Sequence, residues 1–186
     1  MPTARTFVAL NLPPEARASV ADLRRTLSPA PRGLRWAAAS QLHLTLAFLG
    51  DVDDDEGLAA VRAATRSAAA AHAPFDADLR GLGAFPHPGR ARVAWVGWGA
   101  GAEAVSTLQA TLALALARPA DPRPFSPHVT LARARDPLDL RTWLASAPAW
   151  TSPVWRVAAV DVMSSELTRE GAIHTLVERC ALAGDG

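Results

Sequence analysis

Two tetrapeptides of the same form, His43-Leu44-Thr45-Leu46 and His128-Val129-Thr130-Leu131, constrain the fold of this chain more than any other feature. Each lies in an apolar run typical of a β-strand, where residues i and i+2 point to the same face. The His and the Thr of each run therefore share one face, while the apolar residues beside them point into the core. If the two strands face each other, two imidazoles and two hydroxyls line one cleft.

Hydrophobic periodicity predicts an alternation of strands and helices along the chain. The predicted order is strand, helix, strand, helix, strand pair, helix, strand, helix and hairpin. The strands besides the two His runs are predicted at 6–12, 75–82, 91–98, 154–163 and 173–182, the last two forming the hairpin. A short helix is predicted to open at Asp136 and Pro137, because proline suits the first turn of a helix.

Each half of the chain thus contains a helix followed by a strand with the His-x-Thr pair. This repetition predicts an α+β fold of two pseudo-symmetric lobes, in which helices cover the outer side of each sheet. No linker or low-complexity stretch separates the halves. We therefore expect one domain over residues 1–186, made of two lobes.

Composition limits the partners that this chain can bind. The net charge is +1, and all 19 basic residues are arginine. A charge this small does not indicate a broad nucleic-acid or membrane surface, so any nucleic acid is expected to be bound at an end or as a nucleotide. The sequence shows no secretory signal and no apolar run of about 20 residues that would span a bilayer. We expect a cytoplasmic monomer.

The single cysteine, Cys180, excludes an internal disulfide framework and a zinc cluster built on cysteines. It lies in an apolar segment, where a buried structural thiol is expected. Ser126 is close to His128, but no hydroxyl or thiol has the base and the orienting acid of an activated nucleophile.

Metal chemistry is the next alternative. A catalytic zinc ion requires three protein ligands, whereas each motif supplies one His and one Thr, and hydroxyls are poor zinc ligands. The acidic run at 51–56 is interpreted as a helix start, where carboxylates complement the helix dipole. A metal-binding acidic cluster is the alternative interpretation of that run. For the two motifs we expect no metal and no cofactor.

General acid–base catalysis on a phosphate ester suits the paired motifs. An imidazole with an ordinary pKa of about 6.5 serves as either partner near neutral pH. One neutral His takes a proton from the attacking water, and the other, protonated, gives a proton to the departing oxygen. The hydroxyls of Thr45 and Thr130 donate hydrogen bonds to the non-bridging oxygens. A strained 2′,3′-cyclic phosphate, as found at RNA ends, suits a site without metal.

The two motifs lie within longer characteristic segments, 43–50 and 124–133, and further such segments are found at 5–10, 83–86 and 92–97. Near the end of the sequence the pattern continues with Ser165, Leu167, Gly171 and Leu176. In these segments the chain resembles the 2H phosphoesterase superfamily. Among its members it is most similar to the RNA 2′,3′-cyclic phosphodiesterases, also called 2′-5′ RNA ligases. The resemblance runs nearly end to end.

This resemblance implies a bilobal fold with two antiparallel sheets around a central cleft. It implies hydrolysis of an RNA-terminal 2′,3′-cyclic phosphate to a 2′-phosphomonoester, with reversible 2′-5′ ligation as a side activity. It assigns His43 as proton donor and His128 as proton acceptor, and it points to Arg133 as a phosphate-binding residue. Strict strand alternation would turn Arg133 away from the face of His128, so this assignment requires a bend. The expected partners are single-stranded or tRNA-derived 3′ ends, or nucleotides, that carry the cyclic phosphate.

One departure from the family pattern is His174, which stands where relatives commonly carry Tyr. The change either removes a hydroxyl or places a third imidazole near the cleft, and between these and a peripheral structural change we expect the last. Phe48, Phe125 and Trp36 are candidates for stacking on a base. Two alternative functions stay open: a related substrate, such as ADP-ribose cyclic phosphate or a 2′-5′ oligonucleotide, and a non-catalytic binder of RNA ends.

Overall fold

The structure, a computed structural model, describes residues 5–52, 54–118, 124–168 and 171–183. Four helices are formed: α1 (Pro14–Thr26), α2 (Asp55–Ala70), α3 (Ala102–Ala115) and α4 (Arg141–Ala145). The strands are β1 (Arg5–Asn11), β2 (Leu34–Trp36), β3 (His43–Asp51), β4 (Phe75–Ala77), β5 (Leu79–Phe85), β6 (Ala91–Trp98), β7 (His128–Leu138), β8 (Trp155–Val157), β9 (Ala159–Thr168) and β10 (Gly171–Ala181).

Two four-stranded antiparallel sheets form the two lobes. The first sheet has the strand order β10-β9-β1-β3, and the second sheet has the order β2-β7-β6-β5. A two-stranded ribbon, β4-β8, lies apart from both. The units β1-α1-β3 and β6-α3-β7 repeat the same pattern, since each joins two neighbouring antiparallel strands through one helix. The predicted α+β, bilobal architecture is confirmed.

The helices form where their sequences favour them. Pro14 opens α1, whose buried side chains are Ala16, Val20 and Leu23. The Asp54 carboxylate caps α2 by accepting a hydrogen bond of 2.5 Å from the backbone N–H of Gly57. An acidic side chain at this position satisfies a free N–H and complements the dipole. The interpretation of the acidic run as a helix start is therefore confirmed for residues 54–56 and wrong for Asp51, which ends β3; Asp53 lies outside the described residues.

The apolar residues of the two motifs lie in one shared core. Leu44, Leu46, Val129 and Leu131 are each at most 3% exposed and belong to a single cluster of buried side chains. The same cluster takes residues from both sheets and from α1, α2 and α3. Because the apolar side of each motif strand is fixed in this core, its His and Thr must face the other way. Cys180 is also buried.

Three predicted elements are wrong. The strand predicted at 154–163 is two strands, β8 and the first part of β9, separated at Ala158, and β8 pairs with β4 instead of β10. The strand predicted at 75–82 is two strands, β4 and β5, separated at Asp78, and β4 pairs with β8 instead of β6. The buried Asp78 carboxylate accepts from the backbone N–H of Ala100 and pairs with Arg80, so a polar side chain interrupts the run. The helix predicted to open at Asp136 and Pro137 is the end of β7, where Leu138 still pairs with Ala91; α4 begins only at Arg141. Pairing with β6 outweighs the local helix signal.

The first sheet is coiled so strongly that two opposite corners meet. The side-chain amide of Gln41, just before β3, donates to the carbonyl of Ala172 in β10 at 2.5 Å, although β3 and β10 are the two edges of the sheet. This coiling brings the start of β10 to the start of β3, where His43 lies. In the part of the chain that the structure describes, no helix has the length and apolar character needed to cross a membrane.

Candidate active site

The two motif histidines are held in the same way. His43 Nδ1 lies 2.7 Å from the carbonyl oxygen of Gln41, and His128 Nδ1 lies 2.7 Å from that of Ser126. A carbonyl only accepts hydrogen bonds, so each Nδ1 must carry a hydrogen. In the neutral imidazole the Nε2 atom is then the unprotonated nitrogen, available to take a proton. In both lobes the carbonyl two residues before the His therefore sets its tautomer.

The threonines accompany the histidines but differ in contact. Thr45 Oγ1 lies 3.1 Å from His43 Nε2, and with Nε2 unprotonated the hydroxyl is the donor. Thr45 is exposed and Thr130 is partly exposed. Both hydroxyls share a face with their histidine, as the spacing of the motif predicts.

A β-bulge in β7 determines the face of the strand on which Arg133 lies. Thr130 pairs with Trp95 and Ala132 with Ala94, so β7 has one extra residue, Leu131, between these two pairs. Beyond the bulge, Arg133 pairs with Val93 of β6. A bulge reverses the alternation that follows it. Arg133 therefore lies on the face of His128 and Thr130.

The same bulge occurs in β3. Thr45 pairs with Ala9 and Ala47 with Val8, which leaves Leu46 as the extra residue. Phe48 then pairs with Phe7 on the site face, and its ring is 53% exposed. Phe48 and Arg133 are thus equivalent positions, each five residues after its His. One lobe supplies an aromatic ring there and the other a cation.

The other two aromatic candidates lie elsewhere. Trp36 pairs with Ala132, on the opposite side of the second sheet from Arg133, and its ring packs between Arg24 and Trp143. Phe125 is half-buried against the large core. Of the three predicted candidates for base stacking, only Phe48 is on the site face.

Aromatic rings support both imidazoles. The ring of Phe7 lies 4.9 Å from that of His43 (centroid to centroid), and the ring of Phe85 meets His128 edge-on at 4.8 Å. Trp95 lies 6.1 Å from His128. Its indole covers Gly83, where an added Cβ would be only 2.2 Å from the ring, so glycine is required for this packing.

His174 belongs to the site, contrary to the expectation of a peripheral change. Its ring is 5.2 Å from that of His43 and 5.0 Å from that of Phe7. The coiling of the first sheet brings it there, because β10 and β3 are opposite edges of that sheet. The sequence showed that the residue is unusual, but its distance from the motif concealed this contact.

Burial and nearby cations disfavour protonation of the histidines. Burial lowers the pKa of His43 from its ordinary 6.5 to about 4, opposed by the hydrogen bond to Gln41. The positive charges of His174, Arg133 and His128 make smaller contributions to the same lowering. Burial also lowers the pKa of His128, with Arg133 adding to the effect. Both imidazoles are therefore neutral at pH 7, and an anion bound between them would raise both pKa values.

The structure thus brings together four predicted site residues, His43, Thr45, His128 and Thr130, on two faces and adds Arg133 through the bulge. Sequence analysis missed the carbonyls of Gln41 and Ser126, which no side-chain pattern reveals. It also missed Arg35, which lies opposite Arg133. The alternation of residues 34–36 was visible, but its pairing with β7 was not.

Comparisons with known proteins show similarity over most of the chain. The model of the 2′-5′ RNA ligase superfamily matches residues 12–169. The RNA 2′,3′-cyclic phosphodiesterase of Thermus thermophilus is 34% identical to this chain, with 97% of this chain and 91% of that protein covered. The protein of the same name from Methanothermobacter thermautotrophicus is 32% identical, with 94% and 96% covered.

Solved structures show the same similarity. The crystal structure of TT0787 from Thermus thermophilus is similar with a TM-score of 0.76 at 32% identity and covers 98% of this chain and 100% of its own. The crystal structure of E. coli LigT complexed with 3′-AMP has a TM-score of 0.72 at 28% identity, with 98% and 99% covered. The fold of this chain is therefore shared with solved structures over nearly its full length.

Proposed function

The chain belongs to the 2′-5′ RNA ligase superfamily, and on that premise we propose that it hydrolyses 2′,3′-cyclic phosphate at RNA ends to a 2′-phosphomonoester. The observation that carries this proposal is the matched pair of histidines, each held through Nδ1 by a carbonyl, so that its unprotonated nitrogen is Nε2. Relatives named RNA 2′,3′-cyclic phosphodiesterase support the substrate class. The solved complex of LigT with 3′-AMP also supports this substrate class, because 3′-AMP is a nucleotide with a phosphate on its ribose.

In the proposed reaction, water attacks phosphorus while the bond between phosphorus and the 3′ oxygen breaks. Nε2 of His128 takes the proton of the water, and Nε2 of His43 gives its proton to the departing 3′ oxygen. The order of these roles follows the family resemblance, because the geometry treats the two histidines alike. A base must be neutral, and burial keeps the pKa of His128 below its ordinary value.

The acid must be protonated when the substrate is bound. Its low pKa makes the His43 imidazolium a strong acid, but one that is scarce in the free protein at pH 7. A phosphate anion in the cleft offsets the charge of Arg133 and so raises the pKa of His43. Substrate binding itself therefore favours the protonated form of the donor.

The remaining site residues stabilise the charge on the phosphoryl group. Thr45 and Thr130 donate hydrogen bonds to the non-bridging oxygens, and Arg133 supplies a positive charge. Thr45 must then give up its contact with His43 Nε2, which frees that nitrogen for the substrate.

The proposed chemistry uses no metal ion, because each motif offers one imidazole and one hydroxyl, and hydroxyls are poor ligands for zinc. Within the described ranges, no group of three or more His, Cys, Asp or Glu side chains is arranged to hold a metal ion. The two-histidine mechanism needs no further cofactor.

The same pair can also catalyse ligation. When the 5′ hydroxyl of a second RNA replaces water, its attack on the cyclic phosphate breaks the bond to the 3′ oxygen and leaves a 2′-5′ linkage. We propose this reversible ligation as a side activity, consistent with the name of the superfamily. The proposed partners are single-stranded or tRNA-derived 3′ ends, and the proposed location is the cytoplasm. The proposed oligomeric state is a monomer, which size-exclusion chromatography with light scattering would test.

The decisive experiment is turnover of an oligoribonucleotide that ends in 2′,3′-cyclic phosphate, in the presence of EDTA. The wild type is expected to produce a 2′-phosphate, and His128→Ala to lower the rate by about 10²–10⁴, the usual contribution of a positioned base. His72→Ala serves as the matched control, because His72 contacts Thr111 outside the site.

Other outcomes separate the alternatives. Tight binding of this oligoribonucleotide without turnover by the wild type would favour a non-catalytic binder of RNA ends. Faster turnover of ADP-ribose cyclic phosphate or of a 2′-5′ oligonucleotide would favour a related substrate. Turnover only after a metal is added would contradict the two-histidine mechanism.

A further inference from the structure

Arg35 of β2 lies directly opposite Arg133 of β7 in the second sheet. Opposed residues of an antiparallel pair share one face. The neighbours of Arg35, Leu34 and Trp36, pack with Ala132 on the other side of the sheet. Arg35 therefore faces the cleft beside Arg133, and it is exposed.

The guanidinium groups of Arg35 and Arg133 lack the carboxylate partner that seven other arginines in the described ranges have. In the described part of the chain, neither the Arg35 nor the Arg133 side chain has a hydrogen-bonding or ion-pair partner. By contrast, ion pairs are formed by Arg25, Arg62, Arg66, Arg80, Arg141, Arg156 and Arg179. Directly opposed side chains have Cβ atoms about 5 Å apart, and like charges at this distance repel. An anion beside both would relieve that repulsion.

The two arginines differ in how near they lie to His43 and His128. Arg133 lowers the pKa of both catalytic histidines, whereas Arg35 is not among the charges that act on them. Arg35 lies one strand further out, on the edge of the sheet. A phosphate between the histidines is therefore within the influence of Arg133, and Arg35 is placed for the next phosphate along a nucleic-acid chain.

Building on the proposed function, we propose that Arg35 binds the phosphodiester on the 5′ side of the terminal nucleotide. The cleft then takes the end of an oligonucleotide in preference to a free nucleoside cyclic phosphate. The planar guanidinium of arginine, with several fixed donors, suits a phosphodiester better than a point charge does. A different role for Arg35 would be to protect the edge strand β2 against pairing with other chains.

The test compares two substrates with the wild type and Arg35→Ala: adenosine 2′,3′-cyclic phosphate, and the dinucleotide ApA ending in the same cyclic phosphate. Wild type is expected to have the higher kcat/KM on the dinucleotide. Arg35→Ala is expected to lose about tenfold on the dinucleotide and nothing on the mononucleotide, since one charge-assisted contact to a phosphate is removed. The slope of log kcat/KM against log salt on the dinucleotide is expected to become shallower by about 0.7.

Two variants complete the comparison. Arg35→Lys keeps the charge and is expected to retain most of the salt slope while losing part of the affinity. Arg66→Ala changes the net charge by the same amount on α2, where the remaining Arg62 still pairs with Glu178, and is expected to leave both substrates unaffected. All three variants are expected to keep the melting temperature of the wild type within a few degrees.

Equal loss on both substrates, or no loss on either, would overturn the proposal, and the second result would favour the edge-protecting role. If the wild type turns over neither substrate, the proposed function fails, and Arg35 is then tested by binding alone. In that case calorimetry with ApA 2′-phosphate and with 2′-AMP is expected to show weaker binding of the dinucleotide to Arg35→Ala and equal binding of 2′-AMP. Unchanged dinucleotide binding would reject Arg35 independently of catalysis.

Discussion

The strands β3 and β7 have the same local structure in two different surroundings. Each begins with a His whose Nδ1 bonds to the carbonyl two residues before it, and each has a bulge after the Thr. The surroundings differ in the strand added to each sheet. In the first sheet the edge strand β10 coils back and places His174 against His43. In the second sheet β2 lies beside β7 and places Arg35 against Arg133.

This difference shows how a repeated unit acquires two roles. The repeat provides two imidazoles that are each unprotonated at Nε2, and acid–base chemistry requires such a pair. The added strands make the halves unequal, since β10 places a third imidazole, His174, beside His43, whereas β2 adds Arg35 to the face of His128 and Arg133. We infer that the symmetric part supplies the chemistry and that the asymmetric part decides which His donates and how the substrate lies.

The largest expected effect tests whether the two lobes act as one unit. His43→Ala and His128→Ala are each expected to lower kcat by about 10²–10⁴, and the double variant is expected to lose little more than the worse single variant. Residues that act together in one transition state are not additive. Single-turnover kinetics would measure this, and a double variant with the product of the two losses would show that the lobes act independently.

The next effect concerns the threonines, which differ in the resting site. Thr45→Ala and Thr130→Ala are each expected to lower kcat by about tenfold to a hundredfold, because one hydrogen bond to a charged oxygen is lost. Only Thr45→Ala is expected also to move the pH dependence, since only Thr45 contacts a His Nε2. The pH profile of kcat/KM would distinguish them, with Thr45→Ser as the control that restores the hydroxyl.

The pH dependence of the free energy of unfolding compares the histidines of the two lobes in the absence of substrate. Folding disfavours the charged form of His43, so between pH 6.5 and about 4 the unfolded chain binds more protons than the folded one. The free energy of unfolding is therefore expected to fall as pH drops through this window, by roughly 2 kcal/mol more in the wild type than in His43→Asn. His128→Asn is expected to remove less, and urea unfolding at pH 4.5 and pH 7 would measure both. A larger effect at His128 would contradict the greater depression of the pKa of His43.

The smallest expected effect concerns the third imidazole. In His174→Phe the positive charge that disfavours protonation of His43 is gone, so the pKa of His43 is expected to rise by a fraction of a unit while that of His128 stays unchanged. NMR titration of the His43 and His128 ring protons would detect this. Equal shifts in both would indicate a general loosening of the cleft rather than a contact confined to the first lobe.

Local periodicity was sufficient for much of the fold. The spacing of apolar residues predicted α1, α3, the two motif strands and the closing hairpin, and the burial of Leu44 and Leu131 was confirmed. These features depend on side chains at i, i+2 or i+4, which a sequence displays directly. The predictions failed at Asp78, Asp136 and Ala158, where pairing with a distant strand decided the outcome.

By itself, the sequence determined which side chains are available for chemistry and that each His shares a face with its Thr. Only the tertiary structure decided where that face ends. The bulge that brings Arg133 to the site depends on the register between β7 and β6, and the contact of His174 with His43 depends on the coiling of the first sheet. Alternation is a property of one strand, whereas register and coiling arise between strands that are far apart in the chain.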